Sequence, residues 1–374
     1  SLLAGVLTAI SPWGLFVSRI AVEANLGAFL FALGIYGFFC WLEKLEKKWL
    51  VWSVVGWCLS IYSYNSGRIM VPFFLVILLI FVWKKKKLKQ FLVPGIILAV
   101  FLTPLVFQFL NDSGKARFNL VSIIDQGAIN QIIEDRNTAK LPANISRLVF
   151  NKPSFFIYRA IGNYLSNLSP KYLFFYGGSH YQFSLPNHEL LYLVTAPFML
   201  LGLIKILTAK NSSSKVLCWW FFLSFIPSAV TKDAPHVLRT IFVLPTPMML
   251  TAIGVRAVLD FLRNKSKFGG KLLLFVLTGA VLFSFGRWWR DYWTVYPKSY
   301  SWAWQYGYKQ AAFFIEDNYE KYNRIFFTKR NGEPHEFLLF YLKYSPEKYQ
   351  NDQNKKWDYH ASWYWIDQFD KFEF

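Results

Sequence analysis

From Asn65 to Gln90 the chain reads NSGRIMVPFFLVILLIFVWKKKKLKQ. A polar turn carrying Arg68 opens it, an uncharged apolar run follows, and Lys84–Lys87 with Lys89 close it. A bilayer's hydrocarbon core is roughly 30 Å thick and takes about 20 mostly apolar helical residues to cross, fewer where neighbours shield the ends. The run near 68–83 therefore predicts a membrane span. Comparable runs lie near 2–18, 24–42, 49–64, 90–109, 188–208, 215–231, 236–258 and 271–289, so about nine spans are expected. A further, partly embedded helix is expected around 153–168.

The lysines set the orientation. Lys44, Lys47 and Lys48 follow the second run, and Lys84–Lys87 with Lys89 follow the fourth. Lys205, Lys210 and Lys215 surround the connection after the sixth, and Arg256, Arg263, Lys265, Lys267 and Lys271 fill the one after the eighth. These are alternate connections, so a single topology puts all four clusters in the cytoplasm. The expected fold is an all-α polytopic membrane domain over 1–289, with a large extracytoplasmic loop at 110–187. A small α/β extracytoplasmic domain is expected over 290–374. There, Trp302–Tyr319 reads as an amphipathic helix, Arg324–Thr328 as a strand and Pro334–Tyr344 as a helix, with another strand at the end.

The chain has 374 residues and a net charge of +19, with 54% hydrophobic and 17% charged residues. The basic residues cluster in short connections and build no nucleic-acid motif, so no nucleic-acid partner is expected. Cys40, Cys58 and Cys218 sit in apolar stretches without metal or disulfide spacing and read as packing residues. His180, His188, His335 and His360 likewise lack metal spacing, and no metal ligand is assigned. The first run has no charged leader before it and no initiating Met, as expected of a piece of a longer chain.

Three polar constellations fall on the outward side. Arg19 and Glu23 are four apart in SRIAVEAN and would share one helix face. Arg68 ends the tight turn YNSGR between two spans, where it would serve a ligand or reach the headgroups. In TKDAPHVLRTIFVLPTPMML, residues 231–250, Asp233 is expected near an N-cap, with Pro235 in the first turn. Asp233, His236 and Arg239 then recur every three residues along one helical stripe, a candidate anion site. WWRDY at 288–292 reads as an interfacial aromatic belt.

SPWGLFVSRIAVEANLGAFLFALGIYGFF, YSYNSGRIMVPFFL, YLSNLSPKYLFF and TKDAPHVLRTIFVLPTPMMLTAIG, in that order, resemble bacterial GT-C glycosyltransferases. The nearest group is the protein-mannosyltransferase and aminoarabinose-transferase-like family, and WQYGYKQAAFFI with the tail is similar to the outer domain of its members. The resemblance implies an enzyme of the cytoplasmic membrane that moves a sugar from a polyprenyl-phosphate carrier to a glycan, lipid or protein acceptor outside. It implies that Arg19 and Glu23 match the family's R-x-x-x-(acidic) signature, and that Arg239 with His236 binds the lipid phosphate. Arg68 and Asp233 join them as substrate-binding candidates. The family's catalytic aspartate lies in a loop before the first helix here, so it is expected upstream of residue 1. A divalent metal is the one cofactor the resemblance leaves open. A polysaccharide polymerase or ligase using lipid-linked glycans is the alternative, and a transporter, with mid-membrane ionisable residues and repeats, is third.

Overall fold

A computed structural model describes residues 2–110, 120–263, 267–360 and 363–374. Lys265, residues 111–119 of the long loop and the side chain of His360 lie outside the described residues. The described chain is mostly helical and divides into two compact units, 1–288 and 289–374.

In the first unit the opening apolar run is two helices, α1 (Leu2–Ala9) and α2 (Pro12–Arg19), bent by 52°. Ser11 caps α2 through Gly14 N–H, and Pro12 takes the first helical position, where its missing N–H costs nothing. α3 (Glu23–Lys44), α4 (Lys47–Ser63) and α5 (Asn65–Lys84) follow with very short links, and a 3-10 turn leads into α6 (Leu92–Leu110). Glycines let α3 and α4 touch along their lengths: a Cβ on Gly34 would lie 2.3 Å from Trp57, and one on Gly56 2.9 Å from the Leu30 carbonyl. Ser53 and Ser60 of α4 donate to the carbonyls of Gly34 and Gly27, both at 2.8 Å. Such small-residue contacts with buried hydroxyl bonds are how helices associate where apolar burial alone gives little preference.

Beyond residue 119 come α7 (Gln126–Thr138), α8 (Ala143–Val149) and α9 (Lys152–Leu168), then α10 (Ala196–Thr208), α11 (Ser212–Leu223), α12 (Thr246–Arg263) and α13 (Lys267–Thr294). α10 and α12 cross so closely that a Cβ on Gly202 or Gly254 would meet the facing carbonyl at 1.9 Å. One continuous core joins all of these helices but α7 and α8, with Trp13, Trp41, Trp57, Phe31, Phe74 and Phe242 fully buried in it.

Among the described residues five helices are long and apolar enough to cross a membrane: Glu23–Lys44, Asn65–Lys84, Leu88–Gln108, Ile241–Arg263 and Phe268–Thr294. The bent α1–α2 pair makes a sixth if it is one span. The runs at 49–64, 188–208 and 215–231 form shorter helices. Pro197 and Pro227 explain two of these, because proline removes a backbone donor and disfavours helix in the residue before it.

Two local expectations are corrected. Residues 231–240 are not the start of a helix: bends and turns occupy them, a 3-10 turn at Ile241–Val243 follows, and α12 continues from Thr246. Pro235 and Pro245, each after a cis peptide bond, leave the segment without helical donors where a helix would need them. Arg19 and Glu23 do not share a helix face either. α2 ends at Arg19, Ala21 takes a left-handed φ of 52°, and α3 starts at Glu23, which sits favourably in its first turn.

The second unit packs α14 (Tyr308–Asn318) and α15 (Pro334–Tyr341) on a four-stranded sheet of order β1-β4-β3-β2. Its strands are β1 (Ile325–Phe326), β2 (Lys356–His360), β3 (Trp363–Phe369) and β4 (Phe372–Glu373). β1 and β4 run parallel, and the other pairs are antiparallel. Ala312, Ile315, Leu338, Ile366, Phe369 and Phe372 form the core between them. Asp370, at a left-handed φ of 48°, turns β3 into β4 and accepts hydrogen bonds from Tyr319 and Tyr344.

Candidate functional site

The segment 231–245 is a strap held from several sides. Thr231 bridges Ser122 in antiparallel fashion, and Lys232 N–H donates to the Val121 carbonyl at 3.0 Å. Asn163 of α9 donates to the carbonyls of Ala229 and Thr231 at 3.1 and 2.9 Å. Further along, Trp220 of α11 donates to the Phe242 carbonyl at 2.7 Å, and the Phe242 ring stacks on Tyr64. Backbone without regular structure is tolerated at such a place only when its polar groups find partners of this kind.

Arg239 is the best-held cation of the strap. Its Nη1 donates to the Thr231 hydroxyl at 2.7 Å, and its Nη2 pairs with Asp233 Oδ2 at 3.1 Å. The Arg239 side chain is 12% exposed and the Asp233 side chain 47%. His236 is buried, and its Nδ1 accepts the Arg239 N–H at 3.4 Å. The His236 ring lies 5.0 Å from His180 and 5.5 Å from Phe183, centroid to centroid. His180, which its spacing in the sequence did not connect to any site, thus belongs to the same cluster.

Ser66 in the first turn of α5 donates to the Arg239 carbonyl at 3.2 Å, which seats the strap on that turn. Arg68, two residues on, reaches Gln108 of α6 at 3.4 Å. Asp233, His236 and Arg239 are thus gathered beside the turn that carries Arg68. Arg19 and Glu23 are exposed at the α2–α3 turn. Glu23 lines an open trough of about 650 Å3 with Ser18, Asn25 and Phe29. Ser18, Asn25 and Phe29 also line a cavity of about 370 Å3 that extends to Ile241, Leu244 and Pro245 of the strap.

Two charged features escaped the sequence reading. Glu189, 6% exposed, accepts both its bonds from Arg287 of α13, at 2.6 and 2.5 Å. The signal for it was one lone acid and one lone base, each at the edge of an apolar run. The other is a polar cavity of about 280 Å3 between α7 and α9, whose lining includes Asp125, Gln131, Phe155, Arg159, Asn163 and Lys232. Asp125 caps α7 through Ala128 N–H at 3.0 Å and faces Lys232 at 3.6 Å. The capping bond first, and Lys232 with it, hold its carboxyl below the usual range.

No group of three or more His, Cys, Asp or Glu that could hold a metal ion occurs among the described residues. Compared with family models, curated proteins and solved structures, the chain matches none.

Proposed function

We propose that this chain is a GT-C-type glycosyltransferase of the cytoplasmic membrane, which moves a sugar from a polyprenyl-phosphate carrier to an outward acceptor. In this reading α4, α10 and α11 also cross the bilayer, giving about nine spans, and 110–187 with 289–374 lie outside. The observation that carries it is the strap seated on α5, with Arg239 fixed by two side chains beside the buried His236. A departing lipid phosphate needs fixed positive charge, and an arginine already oriented supplies it without reorganisation at the moment of transfer. His236, and Arg68 on the adjoining turn, are other basic side chains near Arg239. The trough at Glu23 and its neighbouring cavity give a sugar and a polyprenyl chain room beside the strap's far end.

The test is transfer from a polyprenyl-phosphate sugar by the full-length protein in lipid. Arg239→Ala should abolish use of the donor while membrane insertion and expression stay normal. Unchanged turnover in that variant sinks the assignment of Arg239. A product lengthened by many sugars rather than one would favour the polymerase or ligase reading.

A further inference from the structure

The cavity between α7 and α9 is a built polar pocket that the lipid-phosphate site does not use. Phe155, Arg159 and Asn163 recur every four residues and so lie on one face of α9, towards the cavity. The guanidinium of Arg159 sits 5.4 Å from the Phe155 ring centre and donates to Gln131 Oε1 at 3.3 Å. Opposite, α7 contributes Gln131 and its capping Asp125, and the strap contributes Lys232.

These groups can be counted by what remains to be bonded. Arg159 spends one N–H on Gln131, whose amide hydrogens stay available. Asn163 spends both its amide hydrogens on the carbonyls of Ala229 and Thr231, which leaves its Oδ1 as an acceptor. Lys232 stands 3.6 Å from Asp125, with donors to spare. Two cations face one carboxylate, so the pocket keeps a net positive charge. Donors and acceptors are mixed around an aromatic edge, as adjacent hydroxyls on a ring require. At about 280 Å3 the space is near the lower end of small-molecule sites, which run from about 300 Å3.

We propose that this pocket binds one sugar ring bearing a carboxylate or phosphate, with Arg159 and Lys232 taking the anion and Asn163, Gln131 and Asp125 the hydroxyls. Its assignment as the acceptor subsite rests on the transferase reading. The binding itself does not.

The experiment titrates the full-length protein, in neutral phosphatidylcholine nanodiscs, with glucuronate, glucose 6-phosphate, glucose and glycerol 3-phosphate. The two acidic sugars should bind, with glucose and glycerol 3-phosphate weaker by about tenfold or more. Arg159→Gln and Lys232→Gln should each weaken acidic-sugar binding roughly ten- to a hundredfold, the range for a lost charged hydrogen bond. Arg159→Lys should keep most of it, and thermal midpoints of all variants should match wild type. Glycerol 3-phosphate binding as well as glucose 6-phosphate would mean a plain phosphate or headgroup site and would overturn the sugar assignment. So would binding that ignores both Gln substitutions, or no binding at all. Donor turnover in the same samples separates the two readings. Turnover without acidic-sugar binding removes the pocket alone, whereas binding without turnover removes the transferase and leaves the pocket.

Discussion

At the level of single residues, the ion pair of Glu189 and Arg287 makes the most direct demand. Glu189 is almost wholly buried, so removing its partner strands a charge that water cannot reach. Arg287→Leu should cost about 3 kcal/mol, the lower end of the range for broken buried pairs, because Arg287 is itself partly exposed. Thermal unfolding in detergent reads this, and Arg287→Lys should recover part of the loss. His335 in α15 gives a second test. Burial first, and Lys329 second, push its imidazole down to about 4 from an ordinary 6.5. Between those values the unfolded chain binds a proton that the folded chain refuses, so stability falls as pH drops from 6.5 towards 4. Hydrogen exchange of the α15 amides in the whole protein should show up to about 2 kcal/mol of that loss. Glu333, raised chiefly by burial, acts in the opposite sense.

At the level of elements, the close crossing of α10 and α12 is the strictest constraint. Gly254→Leu has no room against the Phe198 carbonyl and should destabilise by about 3 kcal/mol or more. Gly162→Ala in α9, with open space around its α-carbon, should stay within about 0.5 kcal/mol of wild type or gain slightly, because alanine favours helix. Equal effects in the two variants, compared by unfolding midpoint, would remove the packing argument. Helices with long apolar runs closed by lysine, such as α3 and α5, could be read directly from hydropathy. The strap could not. Its prolines were visible, but whether a proline opens a helix or replaces it depends on the partners waiting for the backbone, here Asn163, Trp220 and Ser66. For the same reason the helical stripe expected of Asp233, His236 and Arg239 does not exist, and the turns of the strap bring them together instead. The pocket on α9 was missed, although Phe155, Arg159 and Asn163 are spaced by four. Its other wall comes from α7 and the strap, and no spacing within one helix reveals that.

For the molecule as a whole, the distribution of charge along the sequence predicts sidedness, and single cysteines can test it. Cysteines at Lys86, Arg147 and Lys343 are all exposed positions. A membrane-impermeant thiol reagent on intact cells should label 147 and 343 directly, and 86 only after permeabilisation. Labelling of 86 and 147 from the same side would refute the proposed orientation. Not every helix of the first unit meets the rest equally. Of the two spans Leu88–Gln108 and Phe268–Thr294, only 11% and 17% of the most apolar stretch is buried against protein. Phe283, for one, is 75% exposed. In the proposed membrane reading the acyl chains are the packing partner of these two helices, so what they tolerate is decided by lipid rather than by neighbouring side chains. Phe283→Leu is then almost silent, whereas Phe283→Lys must be accommodated by a deformed bilayer. The annulus around α6 and α13 is in that sense an outer layer of the fold.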